Sequence, residues 1–196
     1  MSVLLIAGSP SERSRTVGLL EETGRRLVQR GALVSRLRIR DLSPQALLLA
    51  DAGNRSISQA LDQVAAAGVV VIATPVQKAA YSGVLKVFLD LLPQNGLKGK
   101  TVLPLATGGS PHHMLALDYA LRPVLQSLGA KHILPGIYAT DAQVVLLPEG
   151  GVQMDADIGL RLDEAVHTLI TDSLQPLPAP AGYFVPVPFA QVRCSV

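Results

Sequence analysis

The sequence predicts an α/β fold in which helices cover both faces of a parallel β-sheet. Short runs rich in β-branched residues alternate along the chain with longer amphipathic stretches, which is the pattern of repeated strand–helix–strand units. The run GVVVIATP at residues 68–75 is largely apolar, as expected for a central strand buried on both faces. The 196 residues, of which 48% are hydrophobic and 16% charged, suffice for one domain with a full-sized core.

Five strands and five helices are predicted in strict alternation. The predicted strands are Val3–Ala7, Leu33–Ile39, Val69–Thr74, Thr101–Ala106 and Ile133–Ala139. The predicted helices cover about 14–30, 56–67, 82–92, 112–128 and 157–174. Gly31, Gly68 and Gly129 follow three of these helices at positions typical of left-handed C-caps. This alternation favours a flavodoxin-like three-layer sandwich with a five-stranded parallel sheet of order 2-1-3-4-5.

The last 22 residues differ in composition from the rest of the chain. Five prolines occur in QPLPAPAGYFVPVPFAQVRCSV, so neither a regular helix nor a central strand fits there. We therefore expect one domain over 1–174, followed over 175–196 by an extended arm or a disordered end. Tyr183, Phe184 and Phe189 suit an arm that packs on a neighbouring subunit, as in a homodimer or homotetramer.

Several classes of protein are disfavoured by the composition. The longest apolar run is far shorter than the roughly 18 to 20 residues of a membrane span, and no signal peptide is recognisable, so we expect a cytoplasmic protein. The single cysteine, Cys194, rules out an internal disulfide, and redox chemistry would need a cofactor. His112 and His113 are adjacent and therefore do not share a helix face, and His132 and His167 lack metal-ligand spacing, so no metal site is predicted.

The first 40 residues are basic. They hold the arginines 13, 15, 25, 26, 30, 36, 38 and 40 but only three glutamates. Such a segment either forms a solvated helix face or binds a phosphorylated ligand or a nucleic acid. Nucleic acid has no other support, because only seven aromatic residues are present and no RNA- or DNA-binding motif is found.

A phosphate-binding loop is predicted after the first strand, because ligands of parallel sheets bind at the carboxyl ends of the strands. The segment GSPSERSRT, residues 8–16, offers hydroxyls, an arginine at position 13 or 15 and the free N–H groups of a helix start. The hydroxyls belong to Ser9, Ser11, Ser14 and Thr16. The alternative is that these residues merely cap the helix. Neither G-x-G-x-x-G nor G-x-x-x-x-G-K-[ST] is present, which leaves a mononucleotide phosphate as the natural ligand.

The loops after the third and fourth strands are suited to bind a planar ring, and the alternative for the first of them is a plain connecting loop. Pro75 and the following residues form an irregular turn whose backbone groups at Val76, Gln77 and Lys78 meet the polar edge of a heterocycle. In ATGGSPHHM, residues 106–114, the glycines allow the backbone to approach a ligand closely. No G-x-S-x-G element or loop cysteine is present, so we find no protein nucleophile.

Four segments carry a resemblance to a known family. They are AGSPSERSRT at 7–16, ATPVQKAAYSGVLKVFLDLLP at 73–93, LKGKTVLPLATGG at 97–109 and LALDYALRPVLQSLGA at 115–130. Over roughly residues 1–145 the chain resembles NAD(P)H-dependent FMN reductases, and most closely the flavin reductases of two-component alkanesulfonate monooxygenase systems.

The resemblance implies a role for each loop. Ser9, Ser14, Arg15 and Thr16 would hold the FMN phosphate. The isoalloxazine ring would be surrounded by Pro75, Val76, Gln77, Lys78, Tyr81, Ser82, Gly83, Thr107, Gly108 and Gly109. Gln77 stands where the family favours an aromatic residue. The resemblance also implies a π-type bulge near Asp118 and Tyr119, with Tyr119 at a subunit interface where it modulates flavin exchange, and Pro123 independently predicts a distorted turn there.

The implied activity is hydride transfer from NADH or NADPH to FMN, after which reduced FMN passes to a partner monooxygenase. No side chain would act as acid or base, since orientation of the two rings supplies the rate. One alternative is a quinone or azo-compound reductase with permanently bound FMN. Another is a non-enzymatic electron carrier like flavodoxin, although such carriers are usually acidic and this chain has a formal charge of +2.

Overall fold

The computed structural model describes residues 2–174, which form a mostly parallel sheet between two helical layers. The strands are β1 Ser2–Ala7, β2 Leu33–Arg38, β3 Val69–Gln77, β4 Ala80–Tyr81, β5 Thr101–Gly108, β6 His132–Ile133, β7 Ile137–Thr140, β8 Val144–Leu146 and β9 Val152–Met154. The α-helices are α1 Arg15–Gln29, α2 Pro44–Leu48, α3 Arg55–Ala66, α4 Gly83–Leu89, α5 Arg122–Ser127 and α6 Ala156–Thr168. The proline-rich segment 175–196, predicted to be an arm or a disordered end, lies outside the described residues.

The strand order of the main sheet is β2-β1-β3-β5-β6, with β7 continuing the last position along β5. All of these neighbours pair in parallel. Since β5 is the fourth predicted strand, and β6 with β7 is the fifth, the predicted flavodoxin-like order 2-1-3-4-5 is confirmed.

The core consists of two apolar layers, one on each face of the sheet. Alternate side chains of β1 and β3 point to opposite faces, as the two-residue period of a strand requires. Leu4 and Ile72 pack with α3, α4 and α5 on one face, whereas Leu5 and Val71 pack with α1 and α6 on the other. Both faces are therefore covered, which explains why the central strands are apolar throughout.

The basic segment proves to be mainly a solvated surface with acidic neighbours. Arg25 and Arg26 both donate hydrogen bonds to the Glu22 carboxylate. These bonds lower the pKa of Glu22, and the bond from Arg25 has the larger effect. Four more arginines lie near carboxylates: Arg30 near Asp163, Arg36 near Glu21, and Arg38 and Arg40 near Asp41. Arg13 and Arg15 lie at the opposite end of α1, beside the site described below.

Two predicted strands differ from the observed ones. The fifth strand is not continuous from 133 to 139 but breaks into β6 and β7, because Pro135 has no N–H for the sheet and Leu117 fills the space beside Gly136. The third strand continues to Gln77 and turns back as β4. The hairpin of β8 and β9 was not predicted, and Val152 on it packs where a side chain at Gly18 of α1 would lie.

Two predicted helices differ as well, and one observed helix was not predicted. The region 112–128 consists of a 3₁₀ turn at Pro111–His113, a π-helical turn at Leu117–Leu121 and the helix α5, so the implied bulge at Asp118 and Tyr119 is confirmed. Pro123 is its physical reason, because a proline cannot donate to the carbonyl four residues earlier. The last helix ends at Thr168 and continues as a π-helical segment, Leu169–Leu174. An additional short helix, α2, precedes α3.

The glycine caps are confirmed at two of three positions. Gly31 and Gly129 have φ values of 85° and 86°, as left-handed caps require. The expectation for Gly68 is wrong, since its φ is not positive and Ala67, the C-cap of α3, is already in an extended conformation that leads into β3. Among residues 2–174, none of the helices has the length and apolar character needed to span a bilayer.

Candidate active site

The carboxyl ends of β1, β3 and β5 lie side by side and bring the three predicted loops together. Ala7 pairs with Ala73, and Pro75 pairs with Thr107, so the segments after these strands emerge at one edge. They border a cavity of about 230 Å³. The predicted residues lining it are Ser9, Ser14, Arg15, Thr16, Pro75, Val76, Gln77, Thr107, Gly108 and Gly109.

Buried hydrogen bonds fix the first loop against its neighbours. The Ser82 hydroxyl donates to the Gly8 carbonyl at 2.5 Å and accepts from the Leu85 N–H as the N-cap of α4. Thr16 and Thr107 are both buried, and their hydroxyl groups form a hydrogen bond with an oxygen–oxygen distance of 2.5 Å. The start of α1 is thus tied to α4 on one side and to β5 on the other.

The first loop has donors that are available for an anion. Ser14 occupies the N-cap of α1, yet its side chain makes no capping hydrogen bond, so the alternative that it merely caps the helix is wrong. The Nε of Arg15 is buried without a hydrogen-bond partner among residues 2–174. The first turn of an α-helix has N–H groups without intrahelical partners and a partial positive charge, and Ser14, Arg15 and Thr16 at the start of α1 line the cavity. These donors fit a phosphate.

Ser9 and Thr16 are constrained differently from Ser14. Ser9 is 2% exposed, and its hydroxyl oxygen accepts from the Ser11 N–H at 3.2 Å, which shapes the loop. The Thr16 hydroxyl is engaged with Thr107. Both residues therefore hold the backbone in place, and each retains hydroxyl capacity for one further hydrogen bond.

The end of β3 forms a tight hairpin with β4 and not the irregular turn that was predicted after Pro75. Val76 pairs with Tyr81 and Gln77 with Ala80, while Lys78 and Ala79 adopt φ values of 50° and 63° at the tip. Two successive left-handed residues match the right-handed twist of the strands. The structure does not bring Lys78, Tyr81, Ser82 or Gly83 into the cavity lining.

Gly108 allows two walls of the site to meet. A Cβ at this position would lie 2.5 Å from the Tyr138 hydroxyl and 3.3 Å from Cβ of Val76. That hydroxyl donates to the Ser110 carbonyl at 2.6 Å and so anchors the loop after β5. Burial raises the pKa of Tyr138, with a further contribution from Asp141, so the phenol keeps the proton that this bond needs.

Asp141 was missed by the sequence reasoning, which considered the loops after the first, third and fourth strands. It follows β7, and its Oδ2 lies 3.7 Å from Nη1 of Arg15 in the wall of the cavity. Its position directly after the fifth predicted strand, at the same edge of the sheet, could have identified it from the sequence. Ser11 and Arg13, named as possible phosphate ligands, and Leu146 of β8 also line the cavity.

The π-helical turn lies close to the tip of the hairpin. Tyr119 is 77% exposed, and together with Ala79, His112 and Leu115 it borders a second cavity of about 230 Å³. Met114 and Leu115 are also more than half exposed. An apolar surface therefore surrounds the turn.

We expect Gly108→Ala to lower the free energy of unfolding by about 1 to 3 kcal/mol, because the added methyl displaces the Tyr138 hydroxyl from Ser110. Urea unfolding measures this change. Gly109→Ala is the matched control, since the nearest atom to its Cβ is Asp141 Oδ2 at 3.9 Å. Equal losses in both variants would contradict the assigned clash.

Comparisons with known proteins agree with this geometry. The family model described as NADPH-dependent FMN reductase matches residues 1–144. An FMN reductase (NADPH) from Escherichia coli K12 is 43% identical over 168 residues, covering 86% of this chain and 87% of the relative. Another, from Pseudomonas putida, is 45% identical over 175 residues, covering 89% and 85%. The crystal structure of an NADH:FMN oxidoreductase, EmoB, in its apo form has a TM-score of 0.77 at 40% identity, covering 85% of this chain and 86% of that chain.

The family model spans well over half of the chain, and two relatives exceed 40% identity over most of their length. The predicted resemblance is confirmed, and so are the oxidoreductase class and the two ligands for which the family is named, FMN and a reduced pyridine nucleotide. This chain belongs to the NADPH-dependent FMN reductase family.

Proposed function

We propose that this protein uses NADH or NADPH to reduce FMN and supplies the reduced flavin to a separate monooxygenase of the alkanesulfonate type. The observation that carries this proposal is the phosphate cradle at the start of α1, where the Ser14 hydroxyl makes no capping hydrogen bond and the Arg15 side chain lines the same cavity. Family membership supplies the reaction class. The resemblance to the reductases of alkanesulfonate systems supports the choice of partner.

The residues of each loop around the cavity have a proposed role. Ser9, Ser14, Arg15 and Thr16 bind the phosphate. Pro75, Val76 and Gln77, with Thr107, Gly108 and Gly109, support the ring, and Lys78, Tyr81, Ser82 and Gly83 hold the hairpin and α4 in place behind it. When bound, FMN supplies the redox chemistry by accepting hydride from the nicotinamide. The protein contributes orientation, and no side chain lining the described cavity is assigned a proton-transfer role.

An open site suits a flavin that is exchanged in each turnover. The side chains of Arg15 and Asp141 are 40% and 47% exposed, so the contacts proposed for the phosphate are accessible to water and screened by it. Exposed polar contacts contribute little binding free energy. FMN would thus behave as a substrate more than as a permanent prosthetic group.

The apolar surface around the π-helical turn supports a homodimer or homotetramer. Met114, Leu115 and Tyr119 are each more than half exposed and lie beside the hairpin of the site. A second subunit on this surface would remove them from water and bring Tyr119 near the ring end of a flavin. The predicted role of Tyr119 in flavin exchange would then act at this interface.

Steady-state oxidation of NADH and NADPH, with FMN, FAD or riboflavin added, tests the proposed function. We expect FMN to be the best acceptor and the purified protein to emerge from gel filtration without flavin. Retained FMN together with faster turnover of a quinone or azo compound would instead indicate the quinone reductase alternative. Absence of direct reduction by either nicotinamide would indicate an electron carrier.

Arg15→Ala should raise the KM for FMN by about fivefold and leave the KM for riboflavin nearly unchanged, since riboflavin has no phosphate. The same steady-state assay measures both constants. Arg55→Ala is the matched control, because Arg55 occupies the first position of α3 as Arg15 does in α1. An equal rise for both flavins would show that Arg15 does not bind the phosphate.

Tyr119→Ala should increase the amount of flavin that copurifies with the protein. The physical reason is that removing this exposed ring beside the hairpin frees space at the ring end of the site. The flavin-to-protein absorbance ratio after gel filtration measures the effect, with Met114→Ala as an apolar control. An unchanged ratio would contradict the role proposed for Tyr119.

A further inference from the structure

Asp141 places a negative charge in the wall of the cavity that is proposed to hold a phosphate. Its Oδ2 lies 3.7 Å from Nη1 of Arg15, and both residues line the same cavity as Ser9 and Ser14. A site built only for tight phosphate binding would have no carboxylate here, because like charges at short range repel. A carboxylate at this position therefore indicates a role other than tight phosphate binding.

The backbone holds Asp141 firmly at this position. Its N–H donates to the Gly108 carbonyl at 3.1 Å, which continues the pairing of β7 with β5. The following turn is closed by a bond from the Gln143 N–H to the Thr140 carbonyl at 3.0 Å. The Gln143 side chain also accepts from both the N–H and the hydroxyl of Thr140. Only rotation of its side chain can move the carboxylate away.

The guanidinium of Arg15 is only loosely engaged by this carboxylate. The Arg15 and Asp141 atoms are 3.7 Å apart, beyond hydrogen-bonding distance, and both side chains are exposed to water. Arg13, the other arginine in the cavity lining, donates to the Leu147 carbonyl at 3.2 Å in the turn between β8 and β9. Arg15 can therefore exchange its partner Asp141 for an incoming phosphate without breaking a strong bond.

We propose that Asp141 is a positioning residue that sets how weakly the FMN phosphate is held, because it competes with the phosphate for Arg15. This inference rests on the proposed function, in which FMN is exchanged in each turnover. The phosphate gains Arg15 only by displacing Asp141, and Asp141 recaptures Arg15 as the flavin leaves. Selectivity for a phosphorylated flavin and its easy release thus come from one ion pair.

The test is the affinity of Asp141→Asn for FMN and for riboflavin, measured by flavin fluorescence quenching. Removing the competing charge should lower the Kd of FMN by about fivefold and change that of riboflavin by less than about twofold. Asp62→Asn, at an exposed carboxylate of α3, is the matched control and should alter neither value. In an Arg15→Ala background, the effect of Asp141→Asn on FMN should disappear.

The outcomes separate this inference from the proposed function. If the wild-type protein binds FMN more tightly than riboflavin but Asp141→Asn leaves the Kd of FMN unchanged, the inference is overturned and the proposed function stands. A gain that is equal for both flavins, or one that persists without Arg15, also overturns it. If the wild-type protein binds neither flavin, the proposed function itself fails.

Discussion

The site depends on a buried hydrogen bond between the Ser82 hydroxyl and the Gly8 carbonyl, assisted by the contact between Thr16 and Thr107. Parallel strands bring their carboxyl ends to one edge, but the loops beyond them have no ladder to hold them together. These two interactions supply that connection, and both are shielded from water. A buried carbonyl left without its donor would cost about 1 to 3 kcal/mol, so the first loop has a strong preference for this arrangement.

In this site the backbone is held rigidly, whereas the charged side chains are only weakly paired, and the two properties have different structural causes. The loops are fixed by buried hydroxyls and by close packing around Gly108, so little conformational freedom remains to be lost when a ligand is bound. The charged groups, Arg15 and Asp141, are exposed and loosely paired. This combination would orient a ring accurately while binding the ligand as a whole weakly, as the proposed delivery of flavin requires.

The sheet order and the position of the site could be predicted from the sequence because both follow from local patterns. Apolar runs such as the one at 69–74 mark central strands, and small residues after three of them mark the site edge. Pro123 similarly identified the distorted helical turn. The family resemblance added proposed roles for individual residues, such as Ser14 and Arg15.

The features that were missed arise from contacts between distant parts of the chain. The hairpin of β8 and β9 packs against Gly18, a contact that no local pattern reports. The break between β6 and β7 depends partly on Leu117 beside Gly136, although Pro135 itself was a local signal of it. The Ser82 hydroxyl bonds to a carbonyl 74 residues away, a contact that the sequence around Ser82 does not indicate. Asp141 enters the site because β7 extends along β5. It is a single polar residue in a loop, and no periodic sequence pattern marks such a residue.

A crystal structure of the protein soaked with FMN tests the central claim most directly. We predict that the phosphate lies at the start of α1, within hydrogen-bonding distance of the Ser14 hydroxyl and the Arg15 guanidinium, with the ring against the hairpin and the loop after β5. Flavin found elsewhere on the molecule, or a phosphate directed away from α1, would contradict this account.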